Sequence, residues 1–349
     1  MRLERREETP YWFILAAPIG AVAIALILAS GLIIWTGESV TDAYGFLIKG
    51  AFGSRFAISE TLARATPLIF TGLAAAVAFR ARFWNIGAEG QLYCGALAAT
   101  WLGTGLVVLP PLLMIPFLFV IGALAGGLAL LIPVYLKSKL KVDEVVSTLL
   151  LNFVILLFVS YLLEGPMKDP MSMGWPQAAP VIEEGVLPSL MERTRLHLGF
   201  VVGVAAAILV WVIMRFTVWG YEIRAAGHNP QAAAFAGVNI KMTVLRVALI
   251  SGGLAGIAGI TEVAGLKGYL TLDLSPGFGY AGIAVAMLAA LHPLGVILSA
   301  TFLAGIYVGA DSMSRAVNIP NYIADVIVAT CVLAVLVSLM LTQYRIRFR

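Results

Sequence analysis

Asn85, Glu89 and Gln91 stand together at the mouth of a long apolar run, and Asn152 and Glu262 stand inside two others. An amide side chain donates and accepts at once, so Asn85, Gln91 and Asn152 suit hydrogen bonding to an uncharged polar solute. The stretch Phe83-Trp-Asn-Ile-Gly-Ala-Glu-Gly-Gln91 also carries Gly87 and Gly90, which permit the irregular backbone of a helix broken beside a cavity. Glu89 admits two readings. At mid-membrane an acidic group costs about 2.5–3.5 kcal/mol, so it would have to face protein or water. At the start of a helix the same carboxylate is stabilised by the positive end of the helix dipole. Asn152 reads first as a bond between helices and second as a solute contact. Glu262 and Arg64 fall near the same predicted membrane face, where they would pair or snorkel. Asp311 and Asp325 flank a predicted loop and read as structural.

Other chemistries lack their residues. His197, His228 and His292 are scattered at the ends of apolar runs, so no metal site is expected. No Ser/His/Asp or Cys/His spacing marks a nucleophile, and no cofactor is implied. A G-x-x-x-x-G-K-[ST] loop is missing, so the chain is not expected to hydrolyse ATP by that route. Cys94 and Cys331 lie in apolar segments, which excludes a disulfide framework. The net charge of +4 does not point to nucleic acid, because most Lys and Arg sit at the ends of apolar runs and set topology.

A second polar stretch, Trp219 to Gly237, interrupts the apolar pattern later in the chain. Its end spells a very short helix. Asn229 is a good N-cap, Pro230 falls at the first helical position, and Gly237 falls where the chain must turn left-handed. Pro230 to Ala236 then gives a rod of about 10 Å. Alanines around Phe235 present a small face that is either a docking surface or part of a plain connector.

The elements that must position these residues are membrane helices. The 349 residues are 60% hydrophobic and 12% charged, against about 25% charged in soluble domains. The apolar runs are long and do not alternate, so the fold class is an all-α integral membrane protein. Ten transmembrane helices are predicted, at about 12–35, 61–79, 88–108, 112–135, 145–163, 198–216, 247–265, 280–291, 294–310 and 321–342. Basic clusters at Arg80–Arg82 and Lys137–Lys141 and at both ends of the chain place both termini in the cytoplasm. The layout is a cytoplasmic tail at 1–11, a transmembrane domain at 12–343 and a cytoplasmic tail at 344–349. Within the domain lie an outer loop at 164–197 and a polar cytoplasmic segment at 217–246. Residues 37–59 are read as an amphipathic outer stretch and 311–320 as an outer loop, and the short eighth and ninth runs as a hairpin that crosses only partly. Gly90-Gln-Leu-Tyr-Cys-Gly95 and Gly277-Phe-Gly-Tyr-Ala-Gly282 share a Gly-x4-Gly pattern five spans apart, as expected of an inverted repeat.

Three stretches carry a resemblance: Phe83–Gln91, Gly227–Gly237, and Ser275-Pro-Gly-Phe-Gly-Tyr-Ala-Gly-Ile-Ala-Val-Ala286. Together they resemble the permease subunits of bacterial ABC importers, in the branch for nucleosides and simple sugars related to branched-chain amino-acid permeases. The resemblance runs from about Glu60 to Leu341. It implies a multi-pass protein of the bacterial inner membrane that is not itself an enzyme. It also implies partners: an ATP-binding subunit with two nucleotide-binding domains, a second, non-identical permease subunit, and an extracytoplasmic solute-binding protein. On the resemblance, Arg224, Gly227, His228, Asn229, Pro230, Ala233, Ala234, Phe235 and Gly237 belong to the coupling region that docks on the ATPase. Asn85, Glu89, Gln91, Asn152 and Glu262 are the candidates for the substrate path. Nucleosides are the favoured cargo, with ribose-type sugars as the alternative and an ion-coupled secondary transporter as the rival class.

Overall fold

Glycines decide where helices in this chain approach most closely. The computed structural model describes residues 2–5, 11–317 and 320–347. These fold as two compact units, one built from residues 62–300 and the other from the two ends of the chain. In chain order the helices are α1 Tyr11–Trp35, α2 Val40–Phe52, α3 Arg55–Arg80, α4 Ala88–Gly103, α5 Pro111–Leu140, α6 Glu144–Glu164 and α7 Gly199–Phe216. There follow α8 Val218–His228, α9 Pro230–Phe235, α10 Ile240–Glu262, α11 Phe278–Leu288, α12 Pro293–Ala316 and α13 Asn321–Gln343. Two short strands, β1 Arg2–Arg5 and β2 Tyr344–Arg347, pair antiparallel with Arg2 opposite Arg347.

In the larger unit α4, α5 and α10 form the core, and they meet backbone to backbone. A Cβ added to Gly95 would lie 2.0 Å from the Gly256 carbonyl oxygen. One on Gly126 would lie 2.2 Å from Gly252 O, and one on Gly259 would lie 2.0 Å from Leu92 O. Gly122/Gly126 and Gly252/Gly256 are small residues four apart, the spacing that lets membrane helices approach without side chains between them. The smaller unit uses the same device: a Cβ on Gly309 would lie 2.4 Å from Leu47 O.

Six of the described helices are long and apolar enough to cross a membrane: α3, α5, α6, α7, α10 and α12, and the bent pair α1–α2 makes a seventh. The faces of α5 and α6 carry rows of exposed Leu, Ile, Val and Phe, as lipid-facing helices must.

Several predicted boundaries are corrected. Residues 37–59, expected as an amphipathic outer stretch, contain α2, capped by Ser39 and bent 120° from α1, and the start of α3. The third run stops at Gly103, because Gly105 takes a left-handed φ of +103°. The eighth run yields only α11, 11 residues or about 16 Å, well short of the ~30 Å hydrocarbon layer. The ninth is longer than expected: α12 has 24 residues, crosses by length, and carries Asp311 on the helix rather than in a loop. Residues 318 and 319 of that loop and the side chain of Asp325 lie outside the described residues, as do residues 1, 6–10, 348 and 349 of the tails.

The long stretch between α6 and α7 has little regular structure yet is tightly held. Ala178 N donates to Leu270 O, Val181 N to Gly268 O, Ile182 N to Gly103 O and Leu187 N to Ala264 O. The loop is thereby laced onto the end of α10 and the turn that follows it.

Candidate functional site

The polar residues singled out in the sequence meet where α4 and α11 begin. α4 starts after an irregular segment, 81–87, and its first turn leaves backbone N–H groups without helical partners. Asn152 on α6 supplies one acceptor, with Gly90 N donating to its Oδ1 at 2.8 Å. The Asn152 amide nitrogen donates in turn to Ile86 O at 3.0 Å and to the Tyr280 hydroxyl at 3.1 Å. Asn85 and Gln91 bond reciprocally through their amides, at 2.9 Å each way. Asn85 also donates to Ser251 Oγ at 3.0 Å, and Ser251 passes the chain on to Ala74 O at 2.8 Å. This network ties α3, α4, α6, α10 and α11 together.

The start of α11 is capped from two sides. Gly277 N and Phe278 N donate to Ser275 Oγ at 3.2 and 2.8 Å, and Gly279 N donates to Glu89 Oε2 at 2.6 Å. Gly277 takes φ +94°, a conformation that suits only glycine well, so the chain can turn sharply into the helix. Gly279 is needed for closeness, since a Cβ there would lie 2.2 Å from Glu89 N. Two helix N-termini, each a positive dipole end, converge on one carboxylate. From that point the helices diverge. α4 runs to Gly103 beside the long loop, while α11 runs along α3, with Thr71 Oγ1 donating to Phe278 O at 3.0 Å. Glu89 is thus a buried acid facing protein in the first turn of α4, and its carboxylate caps the neighbouring helix α11.

Asn85, Glu89, Gln91 and Asn152 are at most 3% exposed, and their hydrogen bonds are made within the chain. They do not line the cavity of about 520 Å³ at the far ends of α4 and α6, whose walls include Trp101, Thr104, Leu162 and Lys168. Glu262 lies apart from them, in the last α-helical turn of α10, just before the backbone widens into a π-turn at Val263–Lys267. It is fully buried, and its Oε1 has no protein hydrogen-bond partner. Arg64, Lys267 and Arg195 are the cations near enough to act on its charge. Lys267 is itself 3.3 Å from Asp273. Beside this turn sits His197, whose ring would touch a Cβ on Gly265 at 2.6 Å. Gly199 N donates to its Nδ1 at 3.2 Å, and burial pushes the imidazole down to about 4, so it is neutral.

The second polar stretch is built very differently. α8, not foreseen in the sequence, is capped by Thr217 and pinned to α10 by an Arg246–Glu222 ion pair at 2.6 Å, with Arg246 lying 5.0 Å over the Trp219 ring. α9 follows at once. Asn229 Oδ1 accepts from Gln231 N at 3.0 Å and Ala232 N at 3.1 Å, as its N-cap position requires. At the other end Val238 N donates to Ala233 O and Gly237 N to Ala234 O, each at 3.0 Å, with Gly237 at φ +91°. That is the Schellman closure, and it ends the helix at Phe235, one residue before the predicted end. Ala233 turns inward, whereas Ala232, Ala234 and Ala236 face outward beside Phe235, which is 97% exposed. A large ring left uncovered by the chain on a doubly capped turn is a feature that favours a partner.

Five residues of the junction escaped the sequence reading: Thr71, Thr148 (which accepts from Ile86 N at 3.2 Å), Ser251, Ser275 and Tyr280. Ser275 and Tyr280 lie in a stretch already noted for its glycines, but a cap and a cross-helix hydroxyl leave no periodic signal.

Apolar helices with lipid-facing rows and a polar junction sealed inside them define a multi-pass membrane protein. Residues 57–339 match the family described as branched-chain amino acid transport system / permease component, and the chain belongs to that family. It is thus a permease component of the ABC transporter class, seated in the inner (plasma) membrane. It is 36% identical to the guanosine ABC transporter permease protein NupP of Bacillus subtilis, over 94% of this chain and 93% of that protein. It is 33% identical to the glucose ABC transporter permease protein TsgB13 of Haloferax volcanii, over 99% of this chain and 93% of that one. It is 29% identical to the nucleoside ABC transporter permease protein NupB of Lactococcus lactis, over 92% and 90%.

Proposed function

We propose that this chain is the permease subunit of an ATP-driven importer that moves nucleosides across the inner membrane by alternating access. The observation that carries the reading is α9: a capped, six-residue helix whose one large apolar side chain, Phe235, is almost wholly exposed, in a chain of the permease family. Its partner is an ATP-binding subunit with two nucleotide-binding domains. Arg224, Gly227, His228, Asn229, Pro230, Ala234, Phe235 and Gly237 form or brace the docking surface, and Ala233 seats it. A second, non-identical permease subunit and an extracytoplasmic solute-binding protein complete the machine. The chain is arranged as ten membrane elements with cytoplasmic ends and an inverted repeat, in which α4 and α11 are the matching short helices.

Nucleosides are favoured by the likeness to the guanosine and nucleoside permeases of Bacillus subtilis and Lactococcus lactis. Because such solutes are uncharged, a path with hydrogen-bonding groups and no strong counter-charge suits them. Asn85, Glu89, Gln91 and Asn152 serve this path by fixing the broken helices at its wall, and Glu262 by holding the outer end of α10. A second reading, a simple-sugar importer, is favoured by the likeness to the glucose permease of Haloferax volcanii over nearly the whole chain. The test is co-purification followed by uptake into proteoliposomes. A tag on this chain should bring down an ATP-binding subunit, and the complex should accumulate radiolabelled guanosine only with ATP. Preference for glucose selects the second reading. Uptake by the isolated chain on a proton or sodium gradient overturns both.

A further inference from the structure

α8 presses on α3 at one point, and the residue beneath that point reaches a strained turn. Gly227, the next-to-last residue of α8, sits so close to the carbonyl of Arg80 that a Cβ would lie 2.0 Å from the oxygen. Nothing but glycine fits there without moving one backbone or the other. Arg80 ends α3, and its half-buried side chain folds back onto the protein: Nε donates to the carbonyl of Leu291 at 3.0 Å, across 211 residues of sequence. Arg224, one turn before Gly227 on α8, is a like charge acting on the same guanidinium.

Leu291 lies in the turn between α11 and α12, and that turn holds two consecutive non-glycine residues in the left-handed region, Ala290 at φ +48° and Leu291 at φ +60°. A bulky residue at positive φ is a strained conformation, on the order of 1–3 kcal/mol each, that persists only where the surroundings hold it. Leu291 N donates to Ala286 O at 2.8 Å, so the turn also closes the end of α11. The other end of α11 is the N-terminus held by Glu89. One continuous line therefore runs from α9 and α8, through Gly227 and Arg80, to the Ala290–Leu291 turn and along α11 to the junction.

We infer that Arg80 is a positioning residue for transport, relaying movement of the docking segment to the strained turn and hence to α11. When α8 shifts, the Gly227 seat moves the end of α3, and the guanidinium releases or tightens its hold on the Leu291 carbonyl. The strained turn then supplies two discrete states rather than a gradual bend, because it relaxes once the hold is lost. This inference rests on the importer reading above.

The experiment compares the complete importer carrying the wild-type chain, Arg80→Ala, Arg80→Gln or Leu291→Gly, purified through a tag on this chain and reconstituted in proteoliposomes. Each is assayed for ATP hydrolysis and for radiolabelled guanosine uptake in the same vesicles. Arg80→Ala removes the donor, whereas Arg80→Gln keeps a donor and removes the charge. Leu291→Gly leaves the backbone hydrogen bonds in place and removes the strain at Leu291, Ala290 being unchanged. The expected result is that Arg80→Ala and Leu291→Gly assemble and hydrolyse ATP at near the wild-type rate, while uptake per ATP falls about fivefold or more, the range of a real coupling free energy. Arg80→Gln should recover part of that ratio, and Leu291→Gly should melt no lower than wild type. An unchanged uptake-to-hydrolysis ratio in Leu291→Gly and Arg80→Ala overturns the relay, as does a proportional fall of both activities, which marks a merely structural contact. A wild-type chain that brings down no ATP-binding subunit fails at the earlier step, and the importer reading falls with it.

Discussion

The junction at Glu89 and the helix at Phe235 are both made of polar and small residues, yet they are opposites. In the junction each polar atom described above finds a partner inside the chain, and glycines bring backbones into direct contact. At α9 the backbone groups are spent on closing the two helix ends, and the one large apolar group is left uncovered by the chain. A buried polar group left unbonded costs more than a made bond gains, so a membrane interior completes its polar networks internally. A surface meant for a partner leaves apolar area uncovered instead. The contrast teaches that polarity alone does not mark a solute path in this chain. The polar residues of the junction hold the frame, whereas Phe235 stands exposed on α9.

The widest separation between the two regions should appear on replacing Gly279 with Val. The added side chain has to displace the backbone of Ala88 and Glu89, at a cost of about 3 kcal/mol or more. Thermal unfolding in detergent should show little or no folded chain. Survival of a wild-type melting temperature would mean that α4 and α11 are not locked. Acid should act next most strongly, through His197. Its folded value of about 4 lies below the ordinary 6.5, so the native state prefers the neutral ring. Stability attributable to it is intact above pH 6.5 and is lost as pH falls from 6.5 toward 4, by about 3 kcal/mol in total. His197→Gln should flatten that part of the melting profile relative to wild type, and parallel profiles would remove His197 from the account.

Glu89→Gln should cost only about 1 kcal/mol, because an amide oxygen still accepts from Gly279 N, whereas Glu89→Leu should cost about twice that or more. Equal melting temperatures for the two would show that the cap contributes nothing. Phe235→Ala should have the smallest effect on stability, within about 0.5 kcal/mol for an exposed site, while capture of the ATP-binding subunit is lost. Retained capture would erase the functional side of the comparison. Substituting Ala233 is no substitute for this test, since that methyl group faces inward and a larger one would damage the chain itself.

The two regions were also unequally legible. α9 could be read almost to the residue, because Asn229, Pro230 and Gly237 are local signals that act within one turn. The junction could be located but not understood. Asn85, Glu89, Gln91 and Asn152 stood out as polar groups in apolar surroundings, but what each one bonds to lies 62 to 190 residues away for Asn152 and Glu89. Hydropathy also misjudged lengths. Leu106, Val107 and Val108 are apolar yet lie beyond the glycine that ends α4, and Asp311, Ser312 and Ser314 are polar yet continue α12. α8 was hidden because its apolar stripe is short and interrupted by Glu222 and Arg224.

The cap on α11 also sets a schedule for biogenesis. Glu89 leaves the ribosome 190 residues before Gly279, and at 5–20 residues per second that is a wait of roughly 10–40 s. During that interval α4 is a short helix with a carboxylate and no permanent partner, in surroundings that penalise it. Its insertion is therefore expected to stay provisional until α11 arrives, held in the protein-lined or wet mouth of the insertion machinery rather than released to lipid. A ribosome-bound chain ending at residue 270 and carrying Ala88→Cys and Cys94→Ala should react with a water-soluble thiol reagent, whereas the finished chain with the same changes and Cys331→Ala should not. Equal shielding of both would mean that α4 is settled before its partner exists.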